Sequence, residues 1–552
     1  MRKLLTLWIA LAAARAQDPA RLESAKIEGS ISGTVMQSSS GQPIRDARVV
    51  VSLGQGKSLD ATTDAAGRYS IKRVPPGEYR MGAMAPDREG RIGGFGPSAM
   101  RPVTLHAGEE LTGFDFRLVF RGSVAGKAVD QNNEPVPGLR VVAVTREYHA
   151  GALRAVMTLS GTTDDLGEYV ISRLEPGRAY RIMADRGGQR LSAYSEAPLD
   201  PALRRPAVVP TYFPNSRDLE GGEPVVLRDG ETREGVDIKV VRAPSFCMEG
   251  RIAGGLGPRA YFSISPVQPA SGSAGTASYY HASPGAVVPP DGKVRICDLP
   301  PGDYEIAVSE SGQATFSELV NFGTASLTIS DRDIPNFTVI ARPRVPLAGE
   351  VAWFGQPPDP PLSGELRLFL QAVTRTNRAN TTAPIPGEFS FAGGVPMDEY
   401  KLDINGIPAG VYVKDVVYGD RSVLLTTIRP GAGMTGASLR ITLARDGGTI
   451  AAAVTGKDGN PVPDCNVVVL PETAPSDAMA AALMQSGKSD QNGRWSSATL
   501  APGKYIVLAT PETIDRSPET IARLWAARTR GETVELTAGG KPSVTLAPKP
   551  LE

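Results

Sequence analysis

The chain has 552 residues, enough for roughly three to five domains of ordinary size. Gly (60) and Pro (47) are abundant and apolar residues make up 41%, a mixture that favours many short strands and turns over long helices or disorder. Lys plus Arg balance Asp plus Glu at 59 each, so no basic field exists to condense on a phosphate backbone, and nucleic acid is not an expected partner.

The chain opens with Arg2 and Lys3, a mostly apolar run from Leu4 to Ala13, and Ala14-Arg15-Ala16, with small residues at the two positions a signal peptidase reads. This pattern predicts a signal peptide over residues 1–16. Its apolar run is far shorter than the roughly 20 residues of a bilayer span. No Cys follows the expected cleavage site to carry a lipid anchor, and no later stretch is apolar enough to span. The mature chain loses three basic residues and no acidic one, leaving a net charge of −3. It is expected in the periplasm, on the outer surface or outside the cell, with no membrane span.

A sentence of sequence then recurs. "TTDAAGRYSIKRVPPGEYR" starts at Thr62 and "TTDDLGEYVISRLEPGRAYR" at Thr162. The shared template is Asp, two residues, Gly, an aromatic residue two beyond it, and a Pro-Gly whose Gly lies ten beyond the first. Asp64/Gly67/Tyr69/Gly77, Asp164/Gly167/Tyr169/Gly177 and Asp490/Gly493/Trp495/Gly503 fit it closely. Gly292 with Pro301-Gly302, and Gly387 with Phe389 and Pro396, are worn copies. The Asp accepts bonds from backbone N–H groups of a tight turn and the Gly supplies its left-handed position. A strand follows, in which Tyr69 and Ile71 alternate with Arg68, Ser70 and Lys72; in the second copy Val170 blurs that alternation. The second copy carries one extra residue, Ala179, which would fit a bulge. "PVTLHAGEELTGFDFRL" (102–118) and "PVVLRDGETREGVDIKV" (224–240) align without a gap as closing strands.

Five all-β units are therefore expected in a row, over 27–119, 120–242, 243–343, 344–445 and 446–550, each a β-sandwich of about seven short strands. The third unit holds Cys247 in its opening strand and Cys297 in its hairpin, the pair expected to form a disulfide, with Cys465 of the fifth unit left over. Its Tyr279-Tyr280-His281 lies in a Ser/Gly/Ala-rich loop. The fourth unit has Trp353-Phe354 before a Pro-rich turn, and the second has Tyr212-Phe213-Pro214 between matched strands. The fifth unit alone carries helical patterns. One runs from Ser476 to Gln485 with Gly487 as its far cap, and one opens at Ser517-Pro518-Glu519 with Ile521, Leu524 and Trp525 on one face. Both are expected to cover a sheet edge or to close the array.

The order of Gly-x-Val strand, Pro-containing turn, apolar strand, T-T-D-x-x-G-x-Y and P-G-x-Y resembles the carboxypeptidase regulatory-like domain. The resemblance implies a transthyretin-like sandwich of the carbohydrate-binding-like group, and it covers the first, second and fifth units well. In the best-known relatives such a domain sits beside a metallocarboxypeptidase catalytic domain, which this sequence lacks. Those enzymes resemble one another in a His-x-x-Glu with a distant His, and His106-Ala107-Gly108-Glu109 invites the comparison. The aligned slot in the second unit, however, is Arg228-Asp229-Gly230-Glu231, so Gly and Glu are shared turn residues and His106 is incidental. Three histidines in the chain leave little for a metal site or a catalytic triad, and no cofactor is expected.

Function is then expected to lie in binding. The resemblance implies carbohydrate, met by aromatic rings outside the template: Tyr279, Tyr280, Trp353 and Tyr212 are the candidate ligand residues. The alternative is a spacer or adhesion scaffold that meets a protein of the cell envelope.

Overall fold

A computed structural model describes residues 27–551, apart from 55, 86–99, 150–151, 187–192, 258–259, 270–275, 279–285, 312–318, 363, 374–377 and 432–435. The expected signal peptide lies outside the described residues. Among the described residues strands dominate, with two short α-helices, Asp477–Leu483 and Pro518–Ala527. No helix among the described residues is long and apolar enough to cross a membrane. The chain divides into two compact units, Met1–Phe120 and Arg121–Glu552.

In the first unit the period-two pattern becomes a sandwich. Tyr69, Ile71 and Val74 of strand Arg68–Val74 are buried while Arg68, Ser70, Lys72 and Arg73 face solvent. This strand pairs antiparallel with Gly29–Gln37, which takes two short parallel partners, Glu110–Leu111 and Phe116–Leu118. The facing sheet runs Lys57–Thr62, Arg48–Gly54, Gly77–Met84, Arg101–Leu105. Ile31, Val35, Val49, Val51, Met81 and Val103 fill the space between the sheets. Each such side chain contributes about 1.5–3 kcal/mol by leaving water.

Arg121–Glu552 holds four more sandwiches, each around its own core. The second repeats the first: Glu168–Leu174 pairs with Gly122–Val129, which takes Thr232–Arg233 and Ile238–Lys239 in parallel. Val170 is exposed, so the alternation holds despite its apolar character. Ala179 makes no bulge. Strand Ala179–Asp185 keeps an unbroken register with Pro224–Val226 and Arg140–His149, and the extra residue lengthens the Pro176-Gly177 turn instead.

Two strands read as continuous apolar runs because both of their faces are covered. In Arg140–His149, Val141 and Ala143 enter the main core, whereas Val142 and Val144 meet Met183, Tyr212 and Leu219 in a small second core. In Asn466–Pro471, Val467 and Val469 enter the fifth core, whereas Val468 and Leu470 lie under the helices with Ile506, Leu508, Ile521 and Leu524. The helices thus cover a sheet face rather than an edge. Ser476 accepts from Met479 N–H and Ser517 from Thr520 N–H, as N-caps do. Gly487 is not a helix cap: the first helix ends at Leu483, and Gly487 lies within strand Gln485–Lys488.

The four sandwiches of this unit do not simply follow one another in a row. Residues 193–197 of the second lie along the third, where Arg295 exchanges backbone bonds with Ala193 and Ser195 and donates from its guanidinium to the Ser195 and Ala197 carbonyls. The buried Arg204 guanidinium donates to Asp333 of the third at 2.6 and 2.8 Å. The fifth sandwich returns to the second. Tyr148 packs into the helix-covered cluster and donates its N–H to the Arg516 carbonyl at 2.8 Å. Arg146 bridges Glu220 (2.7 Å) and Glu519 (2.6 Å), and Arg178 bridges Glu147, Glu175 and Asp515. The physical reason is the helices themselves: an apolar face on a sheet that ends in solvent is left uncovered, and the projecting end of Arg140–His149 completes it.

Candidate interaction site

The recurring polar residues are spent on the fold. Asp64 accepts the N–H groups of Ala66 and Arg68, Asp164 those of Leu166 and Glu168, and Asp490 those of Asn492 and Arg494. The preceding Thr63, Thr163 and Ser489 each accept one N–H and donate to one carbonyl, of Ile44, Val136 and Val462 in turn. Gly67, Gly167 and Gly493 hold φ of +71°, +73° and +69°, and an added Cβ would overlap the carbonyl oxygen of Val35, Ala128 or Val454. Glu109 and Glu231 accept the N–H groups of His106 and Arg228, so both turns are closed by carboxylates in the same way. Among the described residues no three His, Cys, Asp or Glu side chains gather in a metal-holding group.

One recurrent role was not read from the sequence. The hydroxyls of Tyr79, Tyr304, Tyr400 and Tyr505 donate to the carbonyl four residues upstream, of Pro75, Pro300, Pro396 and Ala501. Each pins the turn before the returning strand, much as a tyrosine corner does. The signal for it was present in the spacing of Tyr after the Pro-containing turn.

The expected ligand aromatics fare unequally. Tyr279 and Tyr280, with His281, lie outside the described residues. Tyr212 does not serve as a contact residue: it is fully buried beside Val142, Val144 and Met183, where it covers the outer face of a sheet. Trp353 is half-buried against the fourth core, and the open ring there is its neighbour Phe354, with Lys414 Nζ 3.9 Å from its centroid. Trp353 and Tyr212 belong to different sandwiches and are not brought together. Cys247 and Cys297 are joined by a disulfide across adjacent strands, Cα atoms 4.0 Å apart. Cys465 is a free thiol in the fifth core, where burial pushes its pKa up to about 11.

A groove opens on the fifth sandwich where the helix-bearing loop meets the sheet. Trp495 lines it, half-buried, with the polar Gln485, Ser486, Ser496, Asp515 and Arg516 and the apolar Met484, Ala498 and Ile514 around it. The indole lies against Gly487, where an added Cβ would overlap Nε1. Gln485 Oε1 accepts Ala498 N–H at 3.1 Å. Asp515 Oδ1 accepts from the N–H and hydroxyl of Ser517, which ties the groove wall to the helix cap.

The family model of the carboxypeptidase regulatory-like domain matches residues 30–119. The match spans the first sandwich and well under half of the chain. No curated protein matches the chain. Among solved structures, the Bacillus anthracis TIE protein is similar at 12% identity over 91% of this chain and 66% of its own, with a TM-score of 0.13. The full-length major pilin RrgB of Streptococcus pneumoniae is 8% identical over 95% of this chain and all of its own, at 0.17. Two B repeat units of the collagen-binding protein of Staphylococcus aureus are 12% identical over 70% and 93%, at 0.13.

Measured against the first sandwich, the fifth departs at one place. In the first sandwich Gly33 lies opposite Tyr69, an added Cβ there would overlap the Phe114 carbonyl, and the Tyr69 hydroxyl donates to that same oxygen. Gly126, Tyr169 and Val236 repeat the arrangement in the second sandwich. Burial pushes both tyrosine pKa values up. In the fifth, Ala452 stands opposite the aromatic residue, and strand Ser543–Leu546 runs unbroken beside Ala451–Val454. The loop that delivers the carbonyl is replaced by a straight strand, the aromatic residue is Trp, and its ring leans over Gly487 into the groove. Trp495 still packs against the fifth core, half-buried where Tyr69 and Tyr169 are buried.

Proposed function

We propose that the protein is a non-enzymatic exported scaffold that binds an external ligand, with carbohydrate as the ligand class and a cell-envelope protein as the second reading. The observation that carries the scaffold reading is the return of the fifth sandwich onto the second through Tyr148, Arg146 and Arg178. A chain that served only as a flexible tether would gain nothing from two partly buried arginines that bridge two sandwiches, whereas a platform holds its binding surfaces at a set spacing by such means. The acidic residues that recur close turns, which supports binding over hydrolysis. The Cys247–Cys297 bond suits an oxidising compartment and supports export. Carbohydrate is favoured over a protein partner by the half-buried tryptophan among polar side chains in an open groove.

The test is retention of the purified mature chain on insoluble and soluble polysaccharides, with the Arg146→Glu variant beside it. Retention of the wild type on at least one polysaccharide supports the sugar reading. Retention on none removes carbohydrate and leaves the protein-partner scaffold.

A further inference from the structure

We propose that the Trp495 groove of the fifth sandwich is a subsite for one neutral pyranose ring of an oligosaccharide. The proposal rests on the binding-scaffold reading and goes beyond it by assigning the site, its stacking residue and the charge of its ligand. Three observations converge. The first is the partial exposure of Trp495: the equivalent Tyr69 and Tyr169 are 4% and 3% exposed with hydroxyls spent on a carbonyl, whereas the indole packs against the fifth core yet stays half-buried and lines a groove. The second is the device that puts it there. Gly487 lacks the Cβ that would overlap the indole, so the Nε1 edge of the ring lies against main chain of the facing sheet while the ring also packs against the fifth core, and both contacts hold it in place. A rigid planar surface of this kind suits the apolar C–H face of a pyranose, because stacking on it sacrifices little side-chain freedom.

The third observation is the chemistry of the rim. Gln485 uses its Oε1 on Ala498 N–H and keeps its amide hydrogens for an acceptor. The hydroxyl of the exposed Ser486 can donate or accept, and that of Ser496, which donates to the Ser497 carbonyl at 3.4 Å, can accept. Asp515 and Arg516 carry opposite charges side by side, and Arg178 beside Asp515 is itself matched by Glu147 and Glu175, so no positive field selects an anionic ligand. Short polar groups of mixed donor and acceptor character around one aromatic ring fit the equatorial hydroxyls of a sugar. They do not fit an apolar peptide helix, which would strand these groups without partners.

The mature chain contains Trp353, Trp495 and Trp525, so tryptophan emission reports on the site once the other two are replaced. The Trp353→Phe/Trp525→Phe chain is titrated with soluble oligomers of glucose, of N-acetylglucosamine and of galacturonic acid, and the same samples are checked by circular dichroism. A saturable emission shift with a neutral oligomer is expected, weakened at least tenfold by Ser496→Arg, which fills the groove from an exposed position without touching the core. Trp495→Ala is expected to abolish retention on the matching polysaccharide. An unchanged affinity in folded Ser496→Arg protein, or no shift with any neutral oligomer, overturns the subsite. A shift with the galacturonic acid oligomer alone overturns the neutral assignment. Retention of the full chain on a polysaccharide that survives folded Ser496→Arg would show that the chain binds sugar elsewhere, so the subsite would fail while the broader reading stood.

Discussion

Gly126 shows how much a single missing Cβ decides. It lies on strand Gly122–Val129 opposite Tyr169, and the Val236 carbonyl occupies the place its Cβ would take. Gly126→Ala should therefore destabilise the second sandwich by about 1–3 kcal/mol through overpacking, read as amide exchange in Gly122–Val129 faster by about tenfold or more. Unchanged exchange would mean that the Val236 loop yields freely. Asp333 offers a second test at this scale. The Arg204 guanidinium beside it holds its carboxyl below the usual carboxylate range. A carboxylate with a depressed folded pKa contributes stability above its unfolded value, about 4, and that contribution is lost as pH falls from there through the folded value. Protease cleavage within residues 196–205 should accelerate below about pH 4 and should lose that pH dependence in Asp333→Asn, which keeps the shape but not the charge.

At the scale of elements, the second helix depends on its cap. Ser517 accepts from Thr520 N–H, donates to Asp515, and precedes Pro518 at the first helical position. Ser517→Ala should weaken Pro518–Ala527 by about 1 kcal/mol, seen as faster exchange in that helix with the strands of the fifth core unaffected. Equal acceleration throughout the fifth core would show that the helix is part of one cooperative block. This helix was legible in the sequence because its cap, its Pro and its apolar stripe are local, as are the Asp-x-x-Gly turns and the buried Tyr69 and Tyr169. The first helix was legible at its start and misread at its end, since Gly487 reads as a cap in sequence and owes its identity to Trp495 on the facing sheet. Tyr212 was misread for a related reason. Its burial comes from Val142, Met183 and Leu219, residues on other strands that no local pattern ties to it. Trp495 holds the template's aromatic position and packs against the fifth core as that position implies, but its partial exposure was not legible: Ala452 where the first sandwich has Gly33, and the straight closing strand, become meaningful only once strands are paired.

At the scale of the whole second unit, the contact between the second and fifth sandwiches is held by charges that are only partly withdrawn from water. The side chain of Arg146 is 17% exposed and that of Glu519 43%. Partial burial leaves such pairs open to screening, so the contact should loosen as salt rises well above 0.15 M, where the screening length falls below about 8 Å. Arg146→Glu should open it outright, increasing the maximum dimension measured by small-angle scattering, and Glu519→Arg added to that variant should restore part of the compactness. Full restoration is not expected, because Glu220 would still face the new carboxylate. A wild-type dimension already equal to that of Arg146→Glu would refute the closed arrangement. Five sandwiches could be counted from the repeats, but this closure could not be read: nothing near Arg146 in the sequence points to a partner 373 residues away.

That separation also has a consequence in time. A growing chain leaves the ribosome from its first residue onward, at roughly 5–20 residues per second. The second sandwich can complete its own core early, but the exposed end of its longest hairpin must wait on the order of 20–70 s for residue 519 to be made. During that interval Arg146 has Glu220 but not Glu519, and Tyr148 lacks the helix-covered cluster and the Arg516 carbonyl; any chain cut short before Ser517 leaves both contacts unmade. Assembly of the second sandwich therefore ends where synthesis ends, with the last sandwich acting as the step that completes it.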